Sequence, residues 1–231
     1  LIDSFFQISL MTSLWIIQTF ATLDPSLGKV DKASLSQQTI MELFIENITN
    51  KEEVCHQRDI PTDISEWKGL GFNISNEIIG IEWPHKQLKG SIDLNWLPLT
   101  LVHIYSWGNQ LSGTIDLTAL PDSLETLNIH SNTFFGSIDL TSLPTRIRVV
   151  ALSANSLSGT LDLTHLPESM QGLYLDDNKF EGETDFSKLP ESMTLLQVNG
   201  NTNLSGEISP RDGFTLLTSG SKVKVAKYEY A

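Results

Sequence analysis

The chain of 231 residues carries 15 Lys and Arg against 28 Asp and Glu, a formal net charge of −13, and 40% of its residues are hydrophobic. This composition is ordinary for a globular protein with a substantial core. The negative charge would repel a nucleic-acid backbone, so we expect no nucleic-acid partner. Cys55 is the only cysteine, which excludes an internal disulfide and a cysteine-based zinc cluster.

The N-terminal segment, residues 1–23, differs in composition from the rest of the chain. Residues 4–23 carry no charge and are mostly apolar, a length that could just span a bilayer. Three interpretations stay open: a secretory signal that starts at Met11 and ends near Ala21, a membrane anchor, or an amphipathic helix that covers the fold. We therefore expect residues 1–23 to be a signal-like or anchor segment, through which membrane association is possible.

The next segment, residues 24–64, is predicted to form a helical N-terminal cap. Within it, Ile40, Leu43, Phe44 and Ile48 lie near helical spacing. A stacked repeat protein would expose its core at the first repeat, and an amphipathic helix can cover that end.

A repeated unit dominates residues 65–207. Its glycines recur at nearly constant spacing, at Gly90, Gly113, Gly136, Gly159, Gly182 and Gly206. The shared pattern is L/F-x-G-x-I-D-L-x-x-L-P-x-x-L-x-x-L-x-L-x-x-N-x, which contains L-x-x-L-x-L-x-x-N. The alternating apolar residues, such as Leu127 and Ile129, predict short strands whose side chains share one core between repeats. The glycines are expected where the chain turns back.

An asparagine closes each predicted strand. A primary amide can both donate and accept, so these side chains are predicted to bond the turn backbones of their own and the adjacent repeat. The resulting structural ladder comprises Asn109, Asn132, Asn155, Asn178 and Asn201.

These motifs resemble leucine-rich repeats. The segments LKGSIDL, LSGTIDL and LSGTLDL are similar to the plant-type repeat, L-x-G-x-I-P, with Asp in place of the proline. The form I-D-L-x-x-L-P-x-S-L is closest in style to protist secreted or surface leucine-rich repeat proteins. The resemblance implies an α/β, mostly β, solenoid: a short, curved, right-handed superhelix of about six coils with a parallel concave sheet. It also implies a role in protein recognition.

One aspartate per repeat forms a second column, at Asp93, Asp116, Asp139, Asp162 and Asp185. Stacked carboxylates about 5 Å apart repel one another, so something must offset that repulsion. The hydroxyl residues that follow favour Asx-type turns. Calcium is the alternative, but a linear column spreads oxygens that a calcium ion needs to converge.

The variable positions of the predicted strands should face the concave surface and so form the candidate partner-binding site. Aromatic residues there are typical interface anchors. Trp107 has a second interpretation, because Ser106 replaces an expected Leu and the indole could be buried by local repacking. Tyr174, Asp176 and Asp177 form an acidic, hydrogen-bonding group, for which solvated surface charge is favoured over a specific contact. The candidate residues are His103, Tyr105, Trp107, Asn128, His130, Tyr174, Asp176 and Asp177.

The remaining predictions concern modification and the C-terminal end. Asn47, Asn73 and Asn203 lie in N-x-S/T sequons and are glycosylation candidates. Residues 208–231 are expected to form a C-terminal cap that ends in a strand around Val223 and Val225, with lysines that discourage further pairing.

The sequence thus predicts a non-catalytic recognition module that binds a protein or glycan on its concave face. The alternative is a structural or assembly subunit of a larger or membrane-associated complex. No nucleophile and base, and no metal-ligand spacing, can be read from the sequence, so we expect no enzyme activity, no cofactor and no metal. A secreted or cell-surface location is predicted, with membrane-anchored or intracellular locations as alternatives.

Overall fold

The computed structural model describes residues 31–226. The predictions for residues 1–23 therefore lie outside the described residues. The chain divides into two compact units, residues 1–36 and residues 37–231. In the described part of the first unit, a 3-10 helix spans Lys32–Ser34, and the carboxylate of Asp31 accepts a hydrogen bond from the Ala33 N–H at 3.0 Å. None of the helices in residues 31–226 has the length and hydropathy needed to cross a membrane.

The second unit is a mostly β solenoid with two sheets of mainly parallel strands, which confirms the predicted mostly β solenoid. The strands of the first sheet are β1 (Leu70–Phe72), β2 (Ile78–Glu82), β4 (His103–Tyr105), β6 (Thr126–Asn128), β8 (Val149–Ala151), β10 (Gly172–Tyr174), β12 (Leu195–Gln197) and β14 (Thr215–Leu217). They lie side by side in the order β1-β2-β4-β6-β8-β10-β12-β14. All neighbours in this sheet pair in parallel except β1 and β2, which are antiparallel.

The second sheet was not anticipated from the sequence. Its strands are β3 (Lys89–Gly90), β5 (Gln110–Gly113), β7 (Thr133–Gly136), β9 (Ser156–Gly159), β11 (Lys179–Glu183), β13 (Asn203–Ile208) and β15 (Lys222–Val225). They lie in the order β15-β13-β11-β9-β7-β5-β3. The repeat glycines, expected in turns, lie in or at the ends of these strands. The core of each coil is therefore formed by side chains from both sheets.

Glycine is required in the second sheet by backbone angle and by space. At Gly136 the backbone has φ +86°, a region that residues with a side chain rarely adopt. A Cβ there would lie 3.1 Å from Cγ2 of Thr114, which belongs to the preceding coil. The glycine thus lets adjacent coils approach closely.

The core runs continuously between the two sheets. Leu127, Ile129 and Phe134 of one repeat are completely buried, as are the matching residues of the following repeats. Apolar burial of this kind is the main stabilising term of a solenoid, because no single coil closes its own core.

The asparagines named above link neighbouring coils at the end of each first-sheet strand. The Nδ2 group of Asn132 donates to the carbonyl of Ile129 in its own coil at 3.1 Å and to that of Ser106 in the preceding coil at 3.0 Å. Its Oδ1 accepts from the N–H of Leu111, also in the preceding coil, at 3.0 Å. The same three-way pattern recurs at the other asparagines of the ladder.

Two short α-helices and a 3-10 helix, Ile64–Glu66, precede the solenoid strands in the second unit. Helix α1 spans Gln37–Phe44 and buries Ile40, Met41, Leu43 and Phe44, and helix α2 spans Glu52–Cys55. Phe44 stacks on Trp83 with ring centroids 5.9 Å apart. The segment between the helices pairs with the edge of the second sheet through an antiparallel bridge from Ile48 to Gly90.

The aspartate column forms the Asx-type turns that the sequence favoured. The carboxylate of Asp139 accepts from the Thr141 N–H at 2.8 Å and from the Thr141 hydroxyl at 2.6 Å. The hydrogen bonds from that hydroxyl and N–H hold the pKa of Asp139 below its usual range. Side-chain and backbone hydrogen bonds likewise lower the pKa of Asp116, Asp162 and Asp185. Within residues 31–226, no group of three or more His, Cys, Asp or Glu could hold a metal ion.

We expect Asn132→Ala to destabilise the fold by about 2–4 kcal/mol, because three backbone groups in a buried turn each lose a hydrogen bond. Asn203→Ala is the matched control, since Asn203 is exposed and its side chain accepts a hydrogen bond from the Lys222 amine on the surface. Urea unfolding measures both. Equal stability of the two variants would show that the asparagines do not hold the coils together.

The Asp139 carboxylate should contribute pH-dependent stability. Its folded pKa is lowered, so the contribution is present above the unfolded pKa of about 3.9 and is lost as the pH falls through the folded pKa. Removal of the hydroxyl donor in Thr141→Val should raise the Asp139 pKa towards its ordinary value, as measured by NMR titration. Thr118→Val, in the adjacent coil, is the control and should leave the Asp139 pKa where it is. An unchanged Asp139 pKa in Thr141→Val would refute the claim that the Thr141 hydroxyl lowers this pKa.

Candidate functional site

The variable positions of the repeat align on one face of the first sheet. Parallel pairing places Tyr105 beside Asn128, Asn128 beside Ala151, Ala151 beside Tyr174 and Tyr174 beside Gln197. A second column, two residues earlier, runs through His103, Thr126, Val149, Gly172 and Leu195. The residues between the columns are completely buried, so the strands present their variable side chains on the opposite face.

An aromatic and imidazole cluster lies at the N-terminal end of this face. The Trp107 indole stacks on the His130 ring with centroids 5.1 Å apart and an interplanar angle of 19°. The His85 ring meets the indole edge-to-face, with centroids 4.3 Å apart. The structure thus brings together Trp107 and His130, which the sequence proposed, and adds His85, which it missed.

Trp107 is not drawn into the core. Its side chain is partly exposed, and Ser106, which stands at the unusual position beside it, is buried. The Ser106 carbonyl accepts hydrogen bonds from Asn109 at 3.1 Å and from Asn132 at 3.0 Å. Ser106 therefore replaces an apolar core residue, while the indole remains on the surface.

His103 and Tyr105 extend this cluster along β4. Their rings lie 5.4 Å apart, and Nε2 of His103 lies 3.6 Å from the Glu82 carboxylate. A Cβ on Gly80 would collide with Nε2 of His103, so the glycine leaves room for the imidazole. His103 therefore lies directly over the backbone of the preceding coil.

The imidazole of His130 has a defined tautomer when it is neutral. Oδ1 of Asn128 lies 3.4 Å from the backbone nitrogen of His130 and 2.9 Å from Nδ1 of the ring. Since an amide oxygen only accepts, Nδ1 carries the proton and Nε2 is left as an acceptor. Burial lowers the pKa of His130, opposed by the charge of Asp176, with a smaller lowering effect from His85.

A hollow of about 460 Å³ occupies the middle of the face. Its floor is the β8 coil, whose side chains are small at Val149, Ala151, Ser153 and Ala154. Larger side chains of the two neighbouring coils and of β12 form the walls: Asn128, His130 and Ser131 on one side, and Tyr174, Asp176 and Gln197 on the other. The Ser153 hydroxyl donates to the Asp176 carboxylate across the floor.

Asp177 lies at the rim of the first-sheet face, where each strand is followed by a turn. Its side chain is exposed, and its backbone has φ +51°, a left-handed conformation that Asp adopts more readily than most residues. The equivalent residues in other coils are also left-handed, at His85, Gly108, Ser131, Ala154 and Gly200. The rim of the face is therefore a repeated tight turn.

The three sequon asparagines differ in exposure. Asn47 and Asn203 are exposed, whereas Asn73 is half-buried and its Nδ2 donates to the Glu77 carboxylate at 2.8 Å. Oδ1 of Asn73 also accepts two backbone N–H groups, from Ser75 and Glu77, both at 2.9 Å. Of the three sequons, Asn73 is therefore the least accessible to modification.

Comparison with known proteins gives a likeness of fold. No protein-family model matches the sequence, and no curated protein matches it. Among solved structures, Pollen Receptor Kinase 3 superposes with a TM-score of 0.62 at 22% identity, over 82% of this chain and 95% of that one. A plant ice-binding protein superposes with a TM-score of 0.59 at 19% identity, over 81% and 71% of the two chains. The plant peptide hormone receptor RGFR1, in complex with RGF2, gives 0.57 at 24% identity, over 68% of this chain and 26% of the receptor.

These identities are too low to transfer a function, but the superpositions agree with the two parallel sheets and the repeat. The chain has the fold of a leucine-rich repeat solenoid.

Proposed function

We propose that the protein is a non-catalytic recognition module that binds a protein or peptide on the variable face of the first sheet. One observation carries the proposal. The buried core and the turns repeat from coil to coil, while the residues on this face change from Tyr105 to Asn128 to Ala151 to Tyr174. A surface that varies within a repeating framework is suited to a specific, non-repeating partner.

The chemistry of the face favours a protein or peptide over a glycan. Sugars commonly stack on a free aromatic ring face. At the N-terminal end of the face, His130 stacks on the Trp107 indole and His85 packs against it, so this indole offers less free ring to a sugar. The hydrogen-bonding groups of the hollow, in contrast, suit the polar side chains and the backbone of a peptide. The peptide-bound receptor with the same fold supports this choice.

We place the protein outside the cell or at its surface. The exposed sequon residues Asn47 and Asn203 are accessible to glycosylation in the secretory pathway. The receptors that share the fold agree with this location. The apolar residues 4–23 would supply the signal or the anchor.

The proposal predicts that binding depends on the variable face and not on the second sheet. A peptide and glycan array probed with the full chain should give peptide binders whose signal falls about tenfold or more in Tyr105→Ala, because an aromatic anchor is lost. Phe135→Ala is the matched control: Phe135 is 51% exposed and lies on the second sheet.

Both variants should retain the wild-type circular dichroism spectrum. Binders that respond to Phe135→Ala and not to Tyr105→Ala would move the site to the second sheet. Binders confined to the glycan half of the array would overturn the choice of partner class.

A second candidate function, binding to ice, is favoured by one feature of the second sheet. The residues after the glycines carry hydroxyls in four successive coils, at Ser91, Thr114, Ser137 and Thr160. These residues directly follow strands β3, β5, β7 and β9, whose neighbours lie about 4.8 Å apart, so they form a row at about that spacing. A plant ice-binding protein shares the fold. Glu183 interrupts the row in the next coil, which limits its length.

Ice binding predicts thermal hysteresis of the wild-type protein. Thr114→Lys, in the middle of the row, should abolish it because a charged side chain would disturb the ordered hydroxyls. Asn128→Lys, on the first sheet, should leave it unchanged. Absence of hysteresis in the wild type would eliminate this function.

A further inference from the structure

The hollow on the first sheet results from one coil with unusually small side chains. Its floor residues Val149, Ala151, Ser153 and Ala154 lie between coils that carry Asn128 and His130 on one side and Tyr174 and Asp176 on the other. Ala151 is only 6% exposed, so its methyl group closes the bottom of the hollow. With a volume of about 460 Å³, the hollow therefore has room for one side chain of a partner between the two neighbouring coils.

The walls offer hydrogen-bond acceptors to that side chain. On one wall, the neutral His130 ring keeps Nε2 as an acceptor, because Nδ1 donates to Asn128. On the other wall, the Asp176 carboxylate accepts from the Ser153 hydroxyl, and a carboxylate can accept several further bonds. Gln197 also lines the hollow, and its side-chain amide oxygen is a further acceptor. A side chain that donates several hydrogen bonds fits these groups best.

The charge at the hollow is negative and uncompensated. Within residues 31–226, no lysine or arginine forms an ion pair with Asp176 or with the neighbouring Asp177. The chain as a whole carries a net charge of −13. A cationic side chain would therefore be attracted to the face and would find a counter-ion in the hollow.

We propose that this hollow binds an arginine side chain of a partner peptide, with Asp176 as its counter-ion. This inference rests on the proposed function, because it names the chemistry of the partner at the same face. The guanidinium group would pair with the Asp176 carboxylate and donate to Nε2 of His130. Its flat face would lie against the Tyr174 ring.

Arginine fits better than lysine for two reasons. The planar guanidinium has five donors that can bond a carboxylate and a second acceptor at once, whereas an ammonium is a compact point charge. The guanidinium also stacks on aromatic rings, and Tyr174 provides such a ring in the wall. The hollow should therefore bind arginine more tightly than lysine, and lysine more tightly than a neutral side chain.

The test titrates the full chain with acetylated, amidated heptapeptides that have arginine, lysine or citrulline in the centre of an alanine and glycine sequence. Citrulline keeps the shape of arginine and removes the charge. Titration at pH 7.5, followed by NMR chemical shifts, should show the arginine peptide binding about tenfold more tightly than the citrulline peptide. The lysine peptide should bind with intermediate affinity.

Two variants locate the site. Asp176→Asn keeps the size of the side chain and should weaken the arginine peptide about tenfold, to the affinity of the citrulline peptide. Ala151→Leu fills the floor and should abolish binding. Asp139→Asn, on the opposite flank of the coils, is the charge-matched control and should bind as the wild type does. The spectra also show whether each variant is folded.

Three results would each overturn the proposal. The arginine and citrulline peptides could bind equally well, or Asp176→Asn could keep the wild-type affinity. The third is no saturable binding of the arginine peptide up to about 10 mM. Such a failure is distinguishable from failure of the proposed function. If array binders lack arginine and still depend on Tyr105, the proposal of recognition by this face stands. Only the proposal that the hollow binds an arginine side chain then fails.

Discussion

The structure depends on each coil sharing its core and its backbone hydrogen bonds with the next coil. A single coil is too short to close an apolar interior alone, so Leu127 and its equivalents are buried only because neighbouring coils stack. The asparagines add a polar counterpart, since each one bonds the backbone of two coils at once. Repetition of these residues is therefore a requirement of the fold and carries no information about a partner.

The same constraint leaves the variable face free to change. Parallel register places successive variable residues side by side, so substitution of an exposed residue there alters the surface without disturbing the core. The molecule uses this freedom unevenly. The N-terminal part of the face carries the aromatic and imidazole cluster, the middle is hollow at Ala151, and the far wall is acidic at Asp176. These three regions could contact different parts of one extended partner.

The sequence predicted the features that follow from periodicity. Spacing and alternation were enough for the solenoid, the first sheet and the alignment of Tyr105 with Tyr174 along one column. The second sheet was missed because its strands coincide with the glycine segments, and glycine is more typical of turns than of strands. Here Gly136 lies at the end of a strand for two separate reasons: its φ is positive, and the adjacent coil lies too close for a side chain.

His85 and the hollow were missed for different reasons. His85 lies in the coil that precedes the first regular repeat, where Pro84 interrupts the pattern, so the alignment gave it no position on the face. The hollow depends on volumes that differ between three neighbouring coils, and no single residue type marks it. Whether Trp107 is buried also depended on packing, since only the structure shows that Ser106 enters the interior in its place.

Hydrogen exchange of the full chain, with and without an array-selected peptide, tests most directly whether the variable face is the recognition surface. The account predicts slower exchange upon binding in residues 103–107, 126–131, 149–154 and 172–177, with unchanged exchange in the second-sheet strands between them. Protection confined to the second sheet, or to the N-terminal helices, would contradict it.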